Sequence, residues 1–236
     1  MSKTFLLCFL LICTKGFGQT FTPTEIHADL AFLKEQIEEI HPNPYKFIEQ
    51  SRFQQIYDSL YRVERPLTVK QTFTYFLNLT RAIQCGHTSI LVDERLIRPN
   101  NVNPKFLPMD VVIFDNRVYV SRNLSENNLL TKGTEITEIE EIPVPKLLKN
   151  LSRYTFQNGD GRNTDVELYY LQRNFRRLLY LFFDEQDELH LKIKLSFANG
   201  NEEKKIRVKT QPLAYLREME AELNPIRSAE FYKNIY

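Results

Sequence analysis

Hydrophobic residues in the first third of the chain recur three or four positions apart. Over residues 22–42 they fall at Ile26, Leu30, Leu33, Ile37 and Ile40, the spacing of one buried helix face. Thr24, ahead of an acidic first turn, reads as the cap, and Pro42 and Pro44 end the run. Residues 51–63 repeat the pattern with Phe53, Ile56, Leu60 and Val63, and residues 68–84 repeat it with Thr68 as cap and Val69, Phe73, Phe76, Leu77 and Ile83 on one side. Three helices with short links predict a helical subdomain over residues 22–93.

From Thr88 the period shortens to two. "TSILVD" reads as a strand. Residues 106–123 read as two strands about Asp115-Asn116, a hairpin turn signal. A Gly-containing turn then precedes a strand over Glu135–Ile139, a second turn, and a helix after Pro143. Residues 164–183 predict one long, largely buried helix capped by Thr164. The clearest signal follows: Leu189, Leu191, Ile193, Leu195 and Phe197 alternate with His190, Lys192, Lys194 and Ser196, and the partner strand starts after Asn199-Gly200. "LAYLREMEAEL" predicts a last helix. Helices first and strands afterwards make an α+β protein, with a break in the Pro- and Asn-containing stretch between residues 93 and 105.

Two further features narrow the class. An apolar run from Phe5 to Cys13 follows Lys3 and leads to Gly16 and Gly18, the small residues of a signal-peptidase site. Residues 1–19 are thus read as a signal peptide, whose apolar run is too short to span a bilayer. The mature chain would be exported, to the periplasm or outside the cell, with no transmembrane segment. Cys8 and Cys13 lie in that leader, which leaves Cys85 alone and no intramolecular disulfide. A formal net charge of +1 argues against a nucleic-acid partner, which would call for a clear basic excess.

The order of four segments carries a resemblance: "DLAFLKEQIEEIHPNPYKFI", "CGHTSI", "LPMDVVIFDNRVYV" and "KGTEITEIEEIPV". It resembles the front half of the tail-specific (C-terminal processing) serine peptidase family, in its tricorn-like branch. The resemblance implies a helical subdomain, then a PDZ-like domain over residues 105–211. Residues 212–236 would be a tail or the start of a catalytic domain that is otherwise missing. It also implies that His87 is the general base for a Ser arriving from a later domain. The pattern departs at Cys85, where the family carries Asp, and at Glu140-Glu141, where an Asn-Gly turn is usual. Ser228 has no glycine neighbour and does not read as a nucleophile elbow.

Taken by itself, His87 has two readings. An imidazole can accept a serine proton at neutral pH; a histidine beside Gly86 can equally serve a helix exit. Cys85 and His87 would share a face if residues 85–89 were extended, which admits a Cys-His pair, while a small buried Cys is the ordinary alternative. His27, His41 and His190 do not stand at ligand spacing, and no metal or cofactor motif is present. Residues 158–165, "NGDGRNTD", lack the ligand alternation of a Ca²⁺ loop and read as a lead-in to a helix. The expected partners are peptide or protein C-termini, taken by β-strand addition, and a separate catalytic domain. The alternative is a non-catalytic peptide-binding module.

Overall fold

In the computed structural model the described residues are 20–90, 104–155, 160–161, 163–184, 186–197 and 200–223. The signal-peptide reading over residues 1–19, the second half of the predicted strand 88–93, and Ser228 lie outside them. Residues 88–90 are not in a strand.

Helix α1 (Pro23–Ile40) starts two residues earlier than the sequence suggests. Thr22, not Thr24, is the cap: its hydroxyl accepts from the Glu25 amide, and the Glu25 carboxylate accepts from the Thr22 amide at 2.7 Å. Pro23 takes the first helical position, where its missing N–H costs nothing and its fixed φ suits the helix. Helix α2 (Gln50–Leu60) and helix α3 (Val69–Ala82) follow. Thr68 caps α3 through a second capping box with Gln71. A two-residue strand β1 (Thr20–Phe21) pairs antiparallel with β2 (Leu67–Thr68), which ties the start of α1 to the start of α3. The three helices bury Leu30, Ile37, Phe53, Leu60, Leu79, Ala82 and Ile83 against one another. Ile40, which fits the apolar period, is 70% exposed in the last turn of α1.

The second part is an antiparallel sheet of order β4-β5-β6-β8-β9. Its strands are β4 (Met109–Phe114), β5 (Arg117–Asn123), β6 (Glu135–Ile139), β8 (Glu188–Phe197) and β9 (Gly200–Lys209), and β7 (Ile142–Pro143) pairs with β6. The β4–β5 turn has Asp115 and Asn116 at φ 49° and 56°, the left-handed pair that matches the twist of a two-residue hairpin. Glu140 and Glu141 adopt the same conformation between β6 and β7, at φ 49° and 61°. There the Glu140 carboxylate accepts from the His190 amide at 2.6 Å and the Glu140 amide donates to the His190 carbonyl at 2.9 Å, which ties the turn to β8. A short strand β3 (Lys105–Phe106) pairs with β10 (Gln211–Pro212).

One face of the sheet is covered by α4 (Val144–Leu151), α5 (Thr164–Arg173) and α6 (Phe175–Phe183). Alternate residues Met109, Val111, Ile113, Leu189, Leu191 and Ile193 point into that layer and meet Leu147, Leu151, Leu171, Phe175 and Leu178. Phe197, in the same alternation, is 53% exposed because the hairpin tip runs beyond the helices. The opposite face is polar along β8, with Lys192 between Glu138 and Glu203, whereas on β4 it carries the exposed Val112 and Phe114.

The helix predicted over residues 164–183 is two helices. Asn174, at φ −104° and ψ 13°, separates them, and its side-chain amide donates back to the Tyr170 carbonyl at 2.9 Å. That local bond competes with helix propagation. The cap of α5 is Asn163, whose side chain accepts from the amides of Asp165 and Val166; Thr164 is already helical. Helix α7 (Leu213–Leu223) closes the described chain and buries Leu216 against Phe106 and Leu124. Among the described residues no helix is long and apolar enough to cross a membrane. The chain is α+β, with three helices ahead of a strand-rich unit.

Candidate functional site

Helix α3 ends in a tight crossing of two loops. Ile83 is its C-cap, and Gln84, at φ 52°, makes the left-handed exit. The exit therefore falls two residues before Gly86, the position that the sequence favoured. Residues 85–88 then turn, with the Thr88 amide donating to the Cys85 carbonyl at 3.2 Å. They are not the extended stretch that would put Cys85 and His87 on one strand face.

The strand-rich unit reaches over this turn. The Gly86 amide donates to Asp160 Oδ1 at 2.8 Å, and the Gly161 amide donates to the Gln84 carbonyl at 3.0 Å. Gly161 sits at φ 66°, and a Cβ there would touch the Phe47 ring at 3.4 Å. Arg81, one turn earlier on α3, fixes the same crossing. Its guanidinium donates to the Ser152 carbonyl, to Thr155 Oγ1 at 2.9 Å and to Glu167 at 3.2 Å.

These bonds assemble a cluster that no sequence spacing announces. Cys85 Sγ, a His87 ring nitrogen and an Asp160 carboxylate oxygen all lie within 4.8 Å of one another. Cys85 is half-buried against the three-helix core, whereas His87 and Asp160 are exposed. The remaining histidines stand elsewhere. His27 stacks on Tyr61 with ring centroids 4.2 Å apart, and its Nε2 is 3.1 Å from the Val63 carbonyl. His41 ends α1 and accepts from the Asn43 amide. His190 lies on the polar sheet face beside Glu140.

A second feature lies along the sheet edge. Strand β4 is an edge of the sheet, and a groove of about 830 Å³ runs along it, lined by β4, α5, α6 and α7. The groove walls include Val111, Tyr169, Gln172, Arg176 and Arg217. Because the Val120 amide and carbonyl pair toward the β6 side, the opposed Val111 directs its own backbone groups at the groove. On either side the edge is capped from the helices. Gln172 Oε1 accepts the Ile113 amide at 2.9 Å, and Arg176 Nε donates to the Met109 carbonyl at 2.9 Å. Asp110, Arg122, Arg176 and Glu220 form an ion network that anchors α7 at the mouth.

Sequence reasoning found His87 and Cys85 but missed Asp160, Arg81, Gln172 and Arg176. The glycines around Asp160 marked a turn, and nothing in the sequence said what the turn would meet.

No protein-family model matches the chain, and no curated protein matches it. Solved structures do. Mature CPAF complexed with lactacystin matches with a TM-score of 0.56 and 17% identity, over 80% of this chain and 35% of that one. Mature CPAF gives 0.51 and 16% over the same shares, and a point mutant of CPAF gives 0.54 and 17% over 91% and 40%. The chain thus spans well under half the length of these neighbours. It shares the fold of that portion of CPAF.

Proposed function

We propose that this chain is the peptide-handling portion of an exported serine-peptidase-type protein acting on peptide or protein substrates, with His87 as general base. The observation that carries the reading is the CPAF-like fold over at least 80% of the chain, with an exposed imidazole at the exit of α3. The tricorn-like resemblance supplies the role of His87 and the PDZ-like reading of the sheet unit. In a Ser-His mechanism the base must come within hydrogen-bond reach of the nucleophile, and donors must face the oxyanion. The Ser and the oxyanion donors would come from a partner domain docking on the α3 exit.

The groove along β4 supports a second reading, a peptide-binding module that works without catalysis. An extended peptide would add as a strand beside Val111, with its C-terminal carboxylate toward backbone amides and the groove arginines. Titration with labelled peptides ending in a free carboxylate, against their C-terminally amidated forms, tests both readings. Saturable binding that amidation weakens supports carboxylate capture in the groove. Equal binding of both forms rules out carboxylate capture, and absence of binding removes peptide handling altogether.

A further inference from the structure

We propose that Cys85, His87 and Asp160 form a binding site for a borderline-soft divalent metal ion of the Zn²⁺ type. Three different donor classes converge there, a thiolate sulfur, an imidazole nitrogen and a carboxylate oxygen, all within 4.8 Å. In a tetrahedral Zn²⁺ site, bond lengths of about 2.0–2.3 Å place ligand atoms about 3.4–3.6 Å apart. From 4.8 Å the cluster needs to close by about 1.2–1.4 Å at most to reach that spacing, and two of its three side chains are exposed and turn without disturbing the core.

The backbone around the cluster is already fixed. The Gly86 amide holds Asp160 Oδ1 at 2.8 Å, and the Gly161 amide holds the Gln84 carbonyl at 3.0 Å. A carboxylate has lone pairs on both oxygens, so Asp160 can accept from Gly86 and still ligate. Such an outer hydrogen bond orients a metal ligand. Sulfur and imidazole select Zn²⁺ or Co²⁺ over Mg²⁺ and Ca²⁺, which take all-oxygen sites. Three protein ligands leave a fourth position for water or another donor.

The site goes beyond the peptidase reading and does not rest on it. A metal bound to His87 through the nitrogen that would take the serine proton excludes the general-base role while it stays bound.

The test is titration of the reduced full chain with CoCl₂, followed by displacement with ZnCl₂. The expected result is a thiolate-to-cobalt charge-transfer band that saturates at a single equivalent and is bleached by Zn²⁺. Cys85→Ser should abolish the band. Asp160→Asn and His87→Gln should each weaken Co²⁺ binding by about tenfold or more, since even the loss of an outer-shell partner costs roughly 10–100-fold. Asp160→Asn changes an exposed side chain and keeps the test independent of folding. No band, a band that persists in Cys85→Ser through Cys8 or Cys13, or unchanged affinity in both other variants would overturn the proposal.

Discussion

The backbone amide of Gly86 donates to the carboxylate of Asp160 at 2.8 Å. The turn that leaves the helical part is therefore held by the loop that leads into α5. Replacing Asp160 with Ala removes this acceptor while the Gly161–Gln84 backbone bond stays. Amide exchange at Gly86 should rise by about tenfold, the scale of one hydrogen bond. The global urea midpoint should hardly move, because Asp160 is exposed and packs no core. A large fall in midpoint would show that the crossing carries more stability than its visible bonds.

Arg81 is the stronger tie. It is mostly buried, with 19% of its side chain exposed, and reaches the carbonyls of Ser152 and Thr155 and the carboxylate of Glu167. Arg81→Ala should cost roughly 2–3 kcal/mol in chemical denaturation, the scale of losing charge-assisted hydrogen bonds whose acceptors stay behind. Arg81→Lys should recover less than half of that, because one ammonium cannot span acceptors that a planar fork reaches together. Full rescue by Lys would reduce Arg81 to a point charge.

Gln172 caps the edge of the sheet through the Ile113 amide. Gln172→Ala should lower stability by about 1 kcal/mol with an unchanged denaturant slope. The same change frees the amide that an added peptide strand would need. If the groove takes peptides by strand addition, Gln172→Ala should tighten binding in the titration above. Weaker binding would mean that Gln172 contacts the peptide itself.

Tyr45 and Glu38 give a pH dependence. The Tyr45 hydroxyl donates to Glu38, and burial, aided by that carboxylate, pushes the phenol up to about 12 from 10.0. Burial also acts to raise Glu38, but the donors Lys34 and Tyr45 outweigh it and hold the carboxyl below its usual range. For Tyr45 the unfolded phenol loses its proton near pH 10 while the folded one keeps it to about pH 12. Its contribution is therefore complete below pH 10 and fades between pH 10 and 12. The loss should be roughly 1 kcal/mol, well under the full two-unit value because the pair is partly solvated. Tyr45→Phe should remove that slope in denaturation at several alkaline pH values; an unchanged slope would assign it to another group.

The sequence alone determined the elements whose signal is local. The alternation from Leu189 to Phe197, the Asp115-Asn116 turn, and the helical faces around Phe53 and Phe73 each depend on residues a few positions apart. One burial direction decides them. It also located His87 at a helix exit, because the helical period stops there. Tertiary structure decided the rest. The break at Asn174 follows from a side-chain bond that competes with one helical turn, and the Glu140-Glu141 turn is held by the His190 amide on a strand 50 residues away. The meeting of Cys85 and His87 with Asp160 needs the α3 exit and the α5 lead-in to cross, and Arg81 and two glycine amides enforce that crossing. Such contacts leave no periodicity in the chain, since their energy comes from partners that only folding brings together.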